Sequence, residues 1–113
     1  MILEKLRYKD IPDMKKMLRL HQDETCPICH RTLTVLKSRD ICLDHNHDTG
    51  RVRAVLCRSC NAIEGKVKKL FIRMGLRKAG INYEKYLESL KDYNHYPETQ
   101  YIHPKYKIKK VKK

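Results

Sequence analysis

Residues 41–61 read ICLDHNHDTGRVRAVLCRSCN. Two short runs rich in Ile, Leu and Val, ICLDH and VRAVLC, flank the turn-forming cluster NHDTGR with Gly50 inside it, a pattern that predicts a β-hairpin. The continuation SCNAIEGKVKKLFIRM places Ile63, Val67, Leu70, Phe71 and Met74 at helical spacing. Strand, strand, helix is therefore the expected central unit, and its polar residues are dense in Asp, His, Asn and Cys.

Two Cys-x-x-Cys pairs, Cys26/Cys29 and Cys57/Cys60, bracket the hairpin. Each pair lets one tight turn aim two sulfurs at one ion, and four thiolates close a tetrahedral zinc site with no position left for substrate. An iron-sulfur centre or redox use of the pairs is the alternative. Cys42 lacks a paired cysteine and reads as a small buried apolar residue. His30, next to Cys29, reads as a surface residue beside the site rather than a ligand.

Thiolates leave Asp44, His45, Asn46, His47 and Asn61 unexplained. Asp44 and His45 end the first strand and Asn61 opens the helix, so folding the hairpin onto the helix brings the three together. A carboxylate and a carboxamide oxygen are hard donors suited to magnesium or manganese, and a neutral imidazole can take a proton from water. Taken singly, Asp44 could cap a turn and His45 could pack.

Outward from the centre, Met14, Met17, Leu18 and His21 follow Pro12 at helical spacing and predict a helix over 12–22. Gly75 and Gly80 bracket a break, and Asn82 can cap a last helix whose stripe is Tyr83, Tyr86, Leu87 and Leu90. The end of the chain, HPKYKIKKVKK, is a basic tail. No apolar run approaches the ~20 residues of a membrane span, and Met1–Tyr8 has no stretch resembling a secretory signal. A reducing, cytoplasmic setting is expected, which suits thiolate ligands better than disulfides.

The 113 residues carry 26 Lys and Arg against 13 Asp and Glu, a formal charge of +13, which favours a polyanionic partner, DNA or RNA. Hydrophobic residues make up 41% and Trp is absent, so one copy of the chain offers a thin core that needs metal or a second copy to supplement it.

LDHNHDTGRVRAVLCRSCNAIEG resembles the His-Asn-His, or ββα-metal, nuclease motif in the form carried by the recombination endonuclease VII family of phage Holliday-junction resolvases. The likeness extends to CPIC, to FIRMGLRKAGINYEKYLESL and to IHP at 102–104, covering about residues 5–104. It implies an α+β, mostly helical fold: a zinc-stapled ββα-metal core with flanking helices, intertwined as a homodimer. Residues 1–104 would be the nuclease domain with its dimerisation helices, and 105–113 the tail. It further implies that Asp44 and Asn61 hold a catalytic Mg or Mn, that His45 is the general base, that His47 orients phosphate, and that Glu64 lies beside the cleft. Cys26, Cys29, Cys57 and Cys60 would hold structural Zn. Branched or distorted DNA is the implied substrate, cut to leave 5′-phosphates in a phage-infected bacterial cell. Two departures stand out: a family glutamate aligns with Lys85, with Glu84 one position away, and the family's C-terminal segment is replaced by the lysine-rich tail.

For Arg51, Arg53 and Arg58, phosphate contact and solvated surface charge are both open; Lys105, Lys107, Lys109 and Lys110 of the tail are expected to meet phosphates. Two other functions compete with branch cleavage: nicking of ordinary duplex DNA, and nucleic-acid binding by a non-enzymatic zinc module, which would require none of Asp44, His45 or Asn61.

Overall fold

A computed structural model of the chain describes residues 3–107. It divides into two compact units, Met1–Met74 and Gly75–Lys113, parted at the first of the two glycines that bracket the predicted break. Lys109 and Lys110 lie outside the described residues.

The first unit opens with helix α1, Ile11–His21, with Pro12 in its first turn where no N–H is required. It lies within one residue of its predicted span at each end. Strands β1 (Ile41–His45) and β2 (Val52–Cys57) form an antiparallel hairpin, and helix α2 (Arg58–Arg73) follows without a linker. The second unit holds helix α3, Tyr83–Tyr93, capped as predicted by Asn82, whose side-chain oxygen accepts from Lys85 N at 3.0 Å. Among the described residues no helix is long and apolar enough to cross a membrane.

Asn46 builds the hairpin loop. Its Oδ1 accepts from Asp48 N at 2.8 Å and Thr49 N at 3.1 Å, and its carbonyl accepts from Gly50 N at 2.7 Å. Gly50 has φ +76°, where a side chain would be strained. Lys68 of α2 donates to Asp48 Oδ2 at 2.8 Å and ties the loop to the helix.

The ladder pairs Ile41 with Cys57, Leu43 with Val55 and Asp44 with Ala54, but His45 with Val52. Arg53 is the residue left over, so β2 carries a bulge at Arg53. In unbroken pairing Arg53 would face His45 and share its side of the sheet, opposite to Asp44. The bulge re-aims it, and its Nε reaches Asp44 Oδ2 at 2.8 Å.

The buried cluster comprises Leu33, Ile41, Val55 and Leu56 together with Cys26, Cys57 and Cys60, edged by Leu18, Leu36 and Leu43. The cysteine cluster is thus part of the core itself. Cys42 is half-buried and pairs across the ladder with Leu56, outside the thiol group.

The outer edge of β2 is closed by a side chain. Gln22 Nε2 donates to Val55 O at 2.8 Å and to Thr25 O at 3.1 Å, while its Oε1 accepts from Val55 N at 2.8 Å. One carboxamide thereby replaces a neighbouring strand at a fully buried residue. Gln22→Ala strands both backbone groups of Val55, and the expected loss is about 2–4 kcal/mol, checked by urea unfolding of the zinc-loaded protein against an exposed control, Gln100→Ala.

Candidate metal centre and active site

Cys26 and Cys29 belong to a tight turn in which Cys26 N donates to Arg31 O and His30 N donates to Cys26 O, both at 2.9 Å. His30 takes a left-handed φ of +64° to close that turn and stays exposed. Cys57 ends β2 and serves as the N-cap of α2, its Sγ accepting from Cys60 N at 3.5 Å. The positive end of the helix thus points at the sulfurs. The four Sγ atoms lie within 4.8 Å of one another. Cys29 and Cys57 Sγ stand 3.8 Å apart, close to the ~3.8 Å edge of a tetrahedron built on zinc–sulfur bonds. The four cysteines therefore suit a structural zinc.

Arg31 borders this cluster, a residue that no spacing rule in the sequence singled out. Its Nε donates to Cys29 Sγ at 3.3 Å and its Nη2 to Cys57 Sγ at 3.1 Å. The hydrogen bond from Arg31 is the main cause pulling the Cys29 thiol down to about 6, whereas burial, reinforced by the neighbouring thiols, pushes Cys60 up to about 12. At Cys57 burial opposes ionisation, yet hydrogen bonds from Cys60 and Arg31 leave the thiol below its usual value. Such a group cannot shed all its protons unless a cation takes their place.

The second constellation lies on the hairpin and the first turns of α2. Asp44 is 6% exposed. Its Oδ2 accepts from Arg53 Nε at 2.8 Å, and Arg53 Nη2 lies 3.1 Å from Glu64 Oε1. Hydrogen bonding to Asp44 is the main cause that raises the Arg53 pKa. Among the described residues Asp44 Oδ1 accepts no hydrogen bond, and because no buried polar side-chain atom among them lacks a partner, that oxygen keeps some opening to solvent. His45 and His47 are exposed, their rings 4.8 Å apart and tilted by 44°. Asn61 is half-buried one turn before Glu64, on the same side of α2.

Asp44, Arg53 and Glu64 are thus in contact, His45 follows Asp44 directly, and Asn61 is placed by its helix. Among the described residues the four cysteines are the one group of three or more His, Cys, Asp or Glu that converge as metal ligands; Asp44, His45 and Glu64 do not converge in that way. Arg53, read from sequence as phosphate contact or solvated charge, is engaged by two carboxylates. Arg58 is exposed and reaches Asp40 only at 3.8 Å, and Arg51, Lys105 and Lys107 are exposed. Concavities of about 370 Å³ beside Lys15, Lys16 and Arg19 and about 550 Å³ beside Lys66, Lys69 and Arg73 take in none of Asp44, His45 or Asn61. Within the hairpin constellation the two imidazoles are exposed, while Asn61 and Glu64 are half-buried and Asp44 is buried.

Cys26→Ser removes a buried sulfur from the cluster. Zinc per chain should fall well below one by atomic absorption, and the melting transition of the Met1–Met74 unit should weaken or vanish; full zinc and unchanged melting would refute the four-thiolate site.

Residues 3–96 match the family model for recombination endonuclease VII. The matched span contains both cysteine pairs, the whole hairpin, α2 and α3. With the match running over most of its length, the chain belongs to the recombination endonuclease VII family, whose members are nucleases and whose substrate is DNA.

Proposed function

We propose that the chain is a divalent-metal-dependent endonuclease that hydrolyses phosphodiester bonds in branched or distorted DNA, in the manner of a Holliday-junction resolvase, and leaves 5′-phosphates. The observation that carries the reading is Asp44: a carboxylate 6% exposed, with one oxygen open, directly followed by an exposed imidazole. Asp44 and Asn61 supply the carboxylate and carboxamide oxygens that suit Mg or Mn, and the open Oδ1 fits them to hold it. Such an ion would stabilise the negative charge that develops on the scissile phosphate.

His45 accepts the proton of the attacking water at a ring nitrogen. His47, its ring 4.8 Å from that of His45, orients the phosphate. Glu64 keeps its place beside Asp44 through their shared guanidinium. Arg51, Arg58, Lys105 and Lys107 are exposed cations suited to backbone phosphates; Lys109 and Lys110 extend the same role to residues outside those described. A reducing setting, the cytoplasm of a phage-infected bacterium, suits the cysteine cluster.

The active form is an intertwined homodimer. Ile63 (60%) and Leu70 (48%) of α2, Met74 (68%) at its C-cap and Leu90 (47%) of α3 remain open, although Phe71, in the same stripe, is buried. Twofold pairing of helices would cover such stripes and present a copy of Asp44, His45 and Asn61 to each of two strands.

His45→Ala should lower junction cleavage by roughly 10²–10⁴-fold while zinc content and junction affinity stay as in the wild type; near-normal rates would remove the base assignment. Matched four-way-junction, mismatched and linear duplex substrates separate branch cleavage from plasmid-style nicking, and absence of any magnesium- or manganese-dependent nicking would leave only the non-catalytic zinc module. Sedimentation at micromolar concentration should give twice the chain mass, and a monomer that makes both cuts would sink the dimer.

A further inference from the structure

Arg53 reaches the nuclease site only because β2 is bulged at that residue. The guanidinium so delivered takes one oxygen from each of two carboxylates, Asp44 Oδ2 at 2.8 Å and Glu64 Oε1 at 3.1 Å, and its Nη2 also donates to the carbonyl of His45 at 3.4 Å. With Nε and Nη2 engaged inward, most of its hydrogen-bonding capacity is spent on the protein rather than offered to DNA. Asp44 has no other hydrogen-bonding side-chain partner among the described residues, and its Oδ1 is left open.

The geometry points to Arg53 as a resident counter-cation that bridges Asp44 and Glu64 and keeps the divalent-ion affinity of the site low until a DNA phosphate joins it. This rests on the reading of Asp44 as a metal ligand. Formal charge supplies the reason. Two carboxylates and one guanidinium leave the site with a single negative charge. A divalent ion alone overshoots to a single positive charge, and one phosphodiester brings the assembly to neutrality. Without Arg53 the two carboxylates match a divalent ion by themselves. Ion and DNA therefore load together in the wild type, and hydrolytic competence is withheld from the DNA-free protein. The arrangement also answers a folding demand, since a carboxylate as buried as Asp44 needs a compensating charge in the absence of metal.

The experiment is Mn²⁺ binding to the full-length, zinc-loaded protein, read from the electron paramagnetic resonance of free Mn²⁺, with the Mn²⁺ taken up by DNA alone subtracted. Arg53→Met should bind Mn²⁺ about tenfold more tightly than the wild type in the absence of DNA, as expected for removing a like charge a few Å from the ion. Arg53→Lys, which keeps the charge, should stay near the wild type. Adding a four-way junction to His45→Ala protein should tighten Mn²⁺ binding strongly when Arg53 is present and much less in the Arg53→Met background. Asp44-dependent binding that Arg53→Met leaves equal or weaker, with zinc content and circular dichroism intact, overturns the counter-cation role alone. Mn²⁺ binding that is absent, or indifferent to Asp44→Asn, overturns the metal-ligand reading and this inference with it. Should Arg53→Met fail to fold, the junction dependence in His45→Ala protein decides by itself: equal Mn²⁺ affinity with and without the junction refutes the proposal.

Discussion

Four sulfurs crowded within 4.8 Å are the constraint on which the first unit depends. Three of the cysteines are buried, and they make up much of a core whose fully buried aliphatic side chains are few. Such thiols cannot ionise together without a cation between them, so a zinc ion held there serves as the centre of the core as much as a ligand does in larger proteins. Its position also fixes a joint. Cys57 is at once the last residue of β2 and the N-cap of α2. Clamping that residue to the turn at Cys26–Cys29 sets the angle at which the helix leaves the hairpin. Glu64 can meet Arg53 only if that angle is right.

Side chains of opposite character thus crowd one ββα unit. The four soft sulfurs converge as a closed set that suits zinc, while the hard oxygens of Asp44 and Glu64 meet a guanidinium instead. Arg31 sits against the sulfurs and Arg53 against the carboxylates, one guanidinium to each group. In both places a planar, forked cation offsets charge that burial would otherwise make costly.

Much of this was legible in the residues. Helical spacing located α1 and α2 closely, the Asn82 cap located α3, and the two Cys-x-x-Cys pairs located the thiol cluster, because periodicity and chelate spacing are local properties of the chain. Asn46 was visible only as an unexplained polar residue; its work is in backbone hydrogen bonds that a motif does not display. The contact of Arg53 with Asp44 was not legible for a definite reason. Strict alternation puts it on the far side of the sheet from Asp44, and nothing in VRAVLC announces the irregularity that turns it around. Gln22 and Arg31 escaped for the complementary reason, since their partners, Val55 and Cys57, are distant in sequence and no short-range pattern couples them.

The carboxamide of Gln22 has one more consequence. A two-stranded sheet has two bare margins, and a bare margin invites a strand from another molecule. On β2 that margin is occupied at Val55 by Gln22, and on β1 the carbonyl of Ile41 is taken by Lys15 Nζ at 2.8 Å. Both plugs come from α1 or the residue that ends it. The helix thereby takes up, on both margins, backbone groups that a strand added from another molecule would need, which works against amyloid-like strand addition.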